Sequence, residues 1–267
     1  MKGTLNVILP FISLLLFTFS QILIAQNSHL EFAADLWPEG SVVRYLKSNW
    51  DGTNRGYIAV YFKDKETIES LKWHEGHPQA TVVTARIDHR TFNVSYFKNL
   101  RCQDGQCRKL GEMSWDNKIR GYVLQFGEFT DTITNVPPYW HSYDFDFASL
   151  MTAFLFKKNT ASHEFQRMDF QGNEEGLIFT DMGAIEMTYQ KTAMINGANC
   201  NLYLIDGPGL QDQGGEIWFD QKTNLMKGYK IKLPDERSYN SVDLQFLGLE
   251  KMNVVEWEAY KQKKWDF

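Results

Sequence analysis

The sequence lacks most of what announces an enzyme. It has no Gly-x-Ser-x-Gly elbow, no phosphate-binding loop and no dinucleotide fingerprint. Gly207-Pro208-Gly209 and Gly214-Gly215 lack the strand–glycine–helix context that cradles a phosphate. A basic excess is also missing, since 28 Lys and Arg stand against 33 Asp and Glu, for a formal charge of −5. That argues against nucleic acid as a partner, because binding it requires a basic face to neutralise phosphates. Beyond the first 25 residues no apolar run is long enough to span a bilayer. No low-complexity linker and no convincing repeat divides the chain, so residues 26–267 read as a single domain. Disorder is excluded by the 43% of hydrophobic and 15% of aromatic residues, which supply ample surface to bury.

Residues 1–25 read as a secretory signal peptide. Lys2 gives a positive start, the stretch from Val7 to Phe19 is almost wholly apolar, and Ala25 precedes Gln26 as a cleavage point. The competing reading is a transmembrane anchor. Against it, Pro10 breaks the run and no basic stop-transfer cluster follows. No Cys follows the run either, so lipid attachment there is not indicated. The mature chain is expected in an exported compartment, periplasmic or secreted.

Only three cysteines are present. Cys102 and Cys107 flank Gln103-Asp104-Gly105-Gln106, and Asp-Gly is a strong two-residue hairpin signal. With Gln103 opposite Gln106, the next pair outward is Cys102 with Cys107, on one face with close Cα atoms. A disulfide fits there. Half of a metal site is the alternative, but no second Cys pair or paired His stands at a familiar spacing. Cys200 alternates with Leu202 and Leu204 and reads as a buried core thiol.

Most of the remaining chain reads as short strands separated by turn residues. Candidates run over 42–47, 56–63, 67–74 (or a short helix), 80–88, 92–98, 108–115, 121–126, 164–170, 176–181, 184–195, 201–205, 216–219, 225–233 and 238–246. Residues 130–140 carry Pro137-Pro138 and read as irregular, and 254–260 read as an added edge strand. One segment has helical periodicity, within residues 142–158. There Phe147, Leu150, Met151, Phe154 and Leu155 form an i, i+3, i+4, i+7, i+8 stripe. Asp146 is placed to cap its start, and Lys157 and Lys158 suit its C-terminal end. So many short antiparallel strands favour a strongly curved sheet or an unclosed β-barrel, because sheets twist. The expected fold is therefore mainly β, with one central amphipathic helix at about 144–158.

Gly215-Glu216-Ile217-Trp218-Phe219-Asp220, a turn, and Leu225-Met226-Lys227-Gly228-Tyr229-Lys230 resemble a segment of the periplasmic lipoprotein carriers of LolA/LolB type and related uncharacterised exported proteins. Residues 144–158, followed by strands, are similar to the mid-chain helix of those relatives. The resemblance covers about 143–246 and implies an unclosed barrel holding helix on its concave side. The N-terminal half, including Trp73-His74-Glu75-Gly76-His77, matches no such pattern.

Candidate chemistry is sparse. His74 and His77 lie three apart with Gly76 between them and Pro78 after, which suits a turn better than a zinc-binding helix face. No metal and no cofactor is expected. Asp144 and Asp146 read as helix-capping carboxylates, and Glu174-Glu175 as an exposed turn. Trp140 and Tyr143, beside Pro137-Pro138, either line a pocket mouth or staple the entry loop to the core. The candidate ligand-binding face is therefore Trp140, Tyr143, Phe147, Leu150, Met151 and Phe154. Two functions follow as expectations. One is a non-enzymatic exported protein binding an apolar or lipid-like ligand, or an envelope protein. The other is a secreted hydrolase acting on envelope or extracellular polymers, which would need convergent carboxylates or His in a cleft.

Overall fold

The computed structural model describes residues 32–89, 93–137, 140–141, 162–173, 176–232 and 239–265. The expected leader and the expected helix at 144–158 lie outside the described residues, as do Tyr143, Phe147, Leu150, Met151 and Phe154.

Two meanders make up one sheet. The first comprises β1 (Ser41–Ser48), β2 (Gly56–Phe62), β3 (Thr67–His74), β4 (Gln79–Asp88), β5 (Asn93–Gln103), β6 (Gln106–Asp116), β7 (Gly121–Phe126) and β8 (Phe129–Thr134). The second comprises β9 (Trp140–His141), β10 (Ser162–Asn173), β11 (Gly176–Ile195), β12 (Ala198–Asp206), β13 (Gly215–Asp220), β14 (Met226–Ile231) and β15 (Val242–Lys251). Pairing of β1 with β15 joins them, and the order across the sheet is β8-β7-β6-β5-β4-β3-β2-β1-β15-β14-β13-β12-β11-β10-β9. All pairings are antiparallel except that of β9, two residues long, which runs parallel to β10. The sheet does not close, because β8 and β9 are its edges.

Its curvature follows from where the apolar side chains go. One buried cluster draws Val43 and Tyr45 from β1, Val83 and Ala85 from β4, Tyr122 and Leu124 from β7, Phe165 from β10, Tyr203 from β12 and Leu244 from β15. A face that gathers residues from strands so far apart in sheet order must be the inside of a curl. Trp140, at the β9 edge, meets Tyr122 near the other edge, with ring centroids 5.9 Å apart. The Tyr45 hydroxyl crosses the interior to donate to the Met226 carbonyl at 2.9 Å. The expectation of an unclosed antiparallel barrel is met.

β11 is longer than the two strands expected at 176–181 and 184–195, because the chain passes Gly183 without leaving the sheet. Gly183 has φ +102°, and a Cβ there would lie 2.8 Å from the Cβ of Pro208. Only glycine lets the strand bend under the 3-10 turn Pro208–Leu210. β10 bends with it, its register shifting between Arg167 and Met168.

Two expectations are corrected. Residues 130–134, within the stretch read as irregular, belong to edge strand β8, since the prolines begin only at Pro137. The residues read as an edge strand at 254–260 form a helix, α1 (Val254–Gln262). Val254 and Val255 carry strand propensity. The capping box overrides them: Asn253 Oδ1 accepts from the N–H groups of Val255 and Glu256, and Glu256 Oε2 accepts from Asn253 N–H.

α1 lies on the convex side. Trp257 is buried among Val42, Ala59, Tyr61, Leu71 and Val82, which are the alternate residues of strands whose other face lines the interior. Its ring stacks on Tyr61 at 5.4 Å, and its Nε1 donates to Glu69 at 2.6 Å. Lys261 also donates to Glu69 Oε1. The disulfide Cys102–Cys107 forms as expected, with the two residues directly opposite and their Cα atoms 4.0 Å apart. Cys102 is buried in this outer cluster, and Gly105 N–H at the hairpin tip donates to the Trp265 carbonyl at 3.3 Å.

Candidate functional site

The concave face has two places where its wall is interrupted. The first is the seam between the sheet edges. Trp140 fills it, 2% exposed, with one ring edge against Tyr122 and another against Phe179 at 5.3 Å. Of the six residues expected to form a ligand face, Trp140 alone falls among the described residues, and it bridges β7 and β11. Its Nε1 is buried beside the Tyr122 hydroxyl. Burial holds the Tyr122 hydroxyl far above the usual tyrosine range, so it stays protonated.

Beside the seam, β10 turns two polar side chains inward. His163 is buried, with its ring near those of Phe165 and Tyr203. Arg167 is buried too, donating from Nη1 to the Gly209 carbonyl at 2.7 Å and from Nη2 to Asp169 at 2.6 Å. The guanidinium thus ties the bend in β10 to the 3-10 turn above it, which is a positioning role. Burial, with Tyr189 nearby, pushes the Tyr203 hydroxyl up to about 12.

The second interruption is open. β14 begins at Met226, and its pairing with β15 runs only from Gly228 opposite Gln245 to Ile231 opposite Val242. β15 continues to Lys251, held by β1 alone. Leu249 stands opposite Val43, so it belongs to the concave face, yet it is 44% exposed. Leu247, at the bulge where the β1 register shifts, is 51% exposed. Phe246 beside them is half-buried, with Lys227 Nζ 3.7 Å from its ring centroid. Apolar side chains of an interior face are thus left uncovered where the wall falls short. Reading the strand as ending at 246 hid these two leucines, although their alternation with Gly248 was there to find.

Four carboxylates drawn into the sheet or under α1 each meet a cation: Asp169 with Arg167, Asp220 with Lys227, Asp243 with Lys230 and Glu69 with Lys261. Among the described residues, no group of three or more His, Cys, Asp or Glu could hold a metal ion. His74 and His77 face each other edge to face at 6.0 Å across the β3–β4 turn, as the Gly76-Pro78 spacing implies. Among the described residues no helix is long and apolar enough to cross a membrane.

No family model matches this chain, and no curated protein does. Solved structures are similar at low identity. The hypothetical lipoprotein YmcC of Escherichia coli is 14% identical with a TM-score of 0.36, over 78% of this chain and 87% of that one. A domain from Vibrio parahaemolyticus assigned to outer-membrane lipoprotein sorting is 8% identical with a TM-score of 0.32, over 85% and 91%. An exported protein with a YmcC-like fold from Bacteroides fragilis is 10% identical with a TM-score of 0.29, over 83% and 99%. The resemblance read from the sequence is to proteins of the same description. The fold assignment rests on the sheet itself.

Proposed function

We propose that this chain is an exported, non-enzymatic β protein that binds an apolar or lipid-like ligand, or an apolar part of an envelope partner, on the concave face of its unclosed barrel. The observation that carries the reading is the open stretch of β15, where Leu249 stays exposed on the face that buries Val43 opposite it, with Leu247 exposed at the bulge beside it. Exposed apolar surface next to a continuous apolar interior offers a ligand about 25 cal/mol for each Å² it covers. The expected helix face of Phe147, Leu150, Met151 and Phe154, entered through Trp140 and Tyr143, would supply the other wall. Export is supported by the Cys102–Cys107 disulfide, which persists in an oxidising compartment, and by the leader-like residues 1–25. No observation favours the hydrolase reading, and the paired carboxylates act as ion-pair partners in the sheet and under α1.

Native mass spectrometry of protein taken from the exported fraction tests this, together with uptake of a fluorescent fatty-acid probe by delipidated protein. A co-purifying apolar mass or saturable probe binding is expected, with Leu249→Lys weakening binding at least tenfold while the fold is kept. A clean apo mass together with no probe uptake would overturn the proposal.

A further inference from the structure

β15 pairs with β1 from Asp243 to Lys251, but with β14 only from Val242 to Gln245. Beyond the bulge, residues 248–251 therefore have β1 on one side and, among the described residues, no strand on the other. Main-chain groups of an antiparallel strand turn to its two neighbours alternately. The Met252 N–H donates to the Gly40 carbonyl just before β1, so Glu250 and Gly248 turn their N–H and C=O groups to β1 as well. Those of Leu249 and Lys251 then point to the open side. The next residue in that series, Asn253, has its N–H taken by Glu256 at the start of α1. The opening thus presents the ladder groups of two residues, bounded by the bulge at one end and the helix cap at the other.

A lysine on an edge ordinarily blunts it against strand pairing. Lys251 is drawn back from this role. Its Nζ donates to the Glu39 carbonyl at 2.7 Å, and Glu39 leads into β1, on the side of β15 away from the opening. Leu249 stands in the middle of the open edge with its side chain exposed on the concave side. A strand laid here would continue the line of β14 past the β13–β14 turn, pair with Leu249 and Lys251, and cover the leucine with its own concave-side residues. An acyl chain covers a leucine but brings no donor or acceptor for the ladder groups beside it.

We infer that the open edge of β15 takes an extended segment of another polypeptide by strand addition, completing the sheet where β14 falls short. The inference rests on the proposed function for the place and names the partner: a strand whose apolar residues meet Leu249 and whose main chain pairs with Leu249 and Lys251. The edge is short, so the main-chain bonds set register, and the apolar residue laid on Leu249 adds affinity. The position is interior to the strand order, between β15 and the β13–β14 hairpin, so the added strand has one place to lie.

Amide hydrogen exchange tests it. In the protein alone, Leu249 and Lys251 should exchange at least tenfold faster than Glu250 and Met252. A blocked peptide that alternates valine and threonine should slow the first pair at least tenfold. Lys251→Pro removes one edge donor and leaves the β1 ladder whole, so it should weaken peptide binding at least tenfold with an unchanged urea midpoint. Lys251→Met loses the charge but keeps the N–H, and should bind the peptide as before. Equal protection of all four amides in the protein alone would overturn the inference, as would equal losses in the two variants. Uptake of the fluorescent fatty-acid probe without any slowing by the peptide would overturn it and leave the lipid-like ligand standing. Slowing by the peptide without probe uptake would uphold it and remove that ligand. Sedimentation velocity showing a dimer that Lys251→Pro dissolves would give the edge to a second copy of the chain and overturn the choice of partner.

Discussion

The two halves of the sheet bury the same interior but treat their outer faces differently. On the convex side of β1–β5, α1 and Trp265 seal a second core built from Val42, Ala59, Tyr61, Leu71, Ala80 and Val82. On the convex side of β11–β14 the apolar cluster is Cys200, Leu202 and Trp218, with Leu204 exposed beside it. The first half is therefore a three-layer arrangement of helix, sheet and interior. The second is a sheet with one dry face and a small patch on the other. Strands buried on both faces lose the alternation of apolar and polar residues that a half-buried strand keeps. β2 reads Gly56-Tyr57-Ile58-Ala59-Val60-Tyr61-Phe62, apolar nearly throughout, whereas β14 alternates Tyr229 and Ile231 with exposed Lys230.

That difference predicts where the protein is most easily broken. Trp257→Ala removes the ring that stacks on Tyr61 and the N–H that satisfies Glu69, and leaves a cavity in the outer core. A loss of about 3–5 kcal/mol is expected from urea denaturation. Leu204→Ala, on the bare convex side, should stay within about 0.5 kcal/mol. Similar losses at the two sites would erase the distinction between the halves. Glu69→Ala should approach the Trp257 effect, because it strands Lys261 without its buried partner. Lys261→Met in the same chain should recover part of the loss, since Lys261 would otherwise keep only its exposed partner Glu258.

A smaller effect comes from the hairpin that α1 helps to cover. Cys102 is buried in the outer core while Cys107 is exposed, so the crosslink pins the hairpin tip against Trp265. The closed loop is short, and replacing both cysteines by Ala should cost about 2 kcal/mol. Hydrogen exchange should rise first at Gly105, whose N–H meets the Trp265 carbonyl, and at the C-terminal turn of α1. Exchange rising instead in β11–β14 would show that the outer core is not a unit of its own.

Much of the fold could be read in the residues because each half-buried strand carries its own period. The meander ending in β14 and β15, the hairpin at Asp104-Gly105 and the unclosed barrel all follow from local patterns. What escaped the sequence depends on more distant partners. The helix α1 was written in the Asn253–Glu256 capping box, but Val254 and Val255 have strand propensity, and the stripe of Trp257, Tyr260 and Lys261 has meaning only once Glu69 and Tyr61 are opposite it. Arg167 read as a polar residue of an ordinary strand, because nothing local says that Gly209 will stand over the guanidinium. Of the expected ligand face, Trp140 was legible as an aromatic in a proline-locked loop. Its bridge to Tyr122 and Phe179 requires the sheet to curl. The open stretch at Leu247 and Leu249 exists only because β14 is shorter than β15, a relation between two strands that neither one encodes.

The smallest effect tests the second half alone, through Cys200. Burial and then Asp220 push its thiol up to about 11, against the opposing pull of Lys227. The unfolded thiol titrates near 8.5. The folded state therefore holds a proton that the unfolded state gives up, and the stability it contributes is complete below about pH 8.5 and lost as pH rises towards 11. Tyr203, pushed up to about 12, acts in the same direction at slightly higher pH. The urea midpoint should thus fall between pH 8 and pH 10.5, and Cys200→Ala should flatten part of that fall while leaving the tyrosine contribution. At pH 8 the native thiol should also resist iodoacetamide, reacting at the unfolded rate only in denaturant. A thin outer patch over Cys200 would permit neither result. Rapid alkylation of the native protein, with an unchanged alkaline slope in the variant, would mean that the convex side of β11–β14 is open to solvent down to the sheet and that the contrast between the halves is greater still.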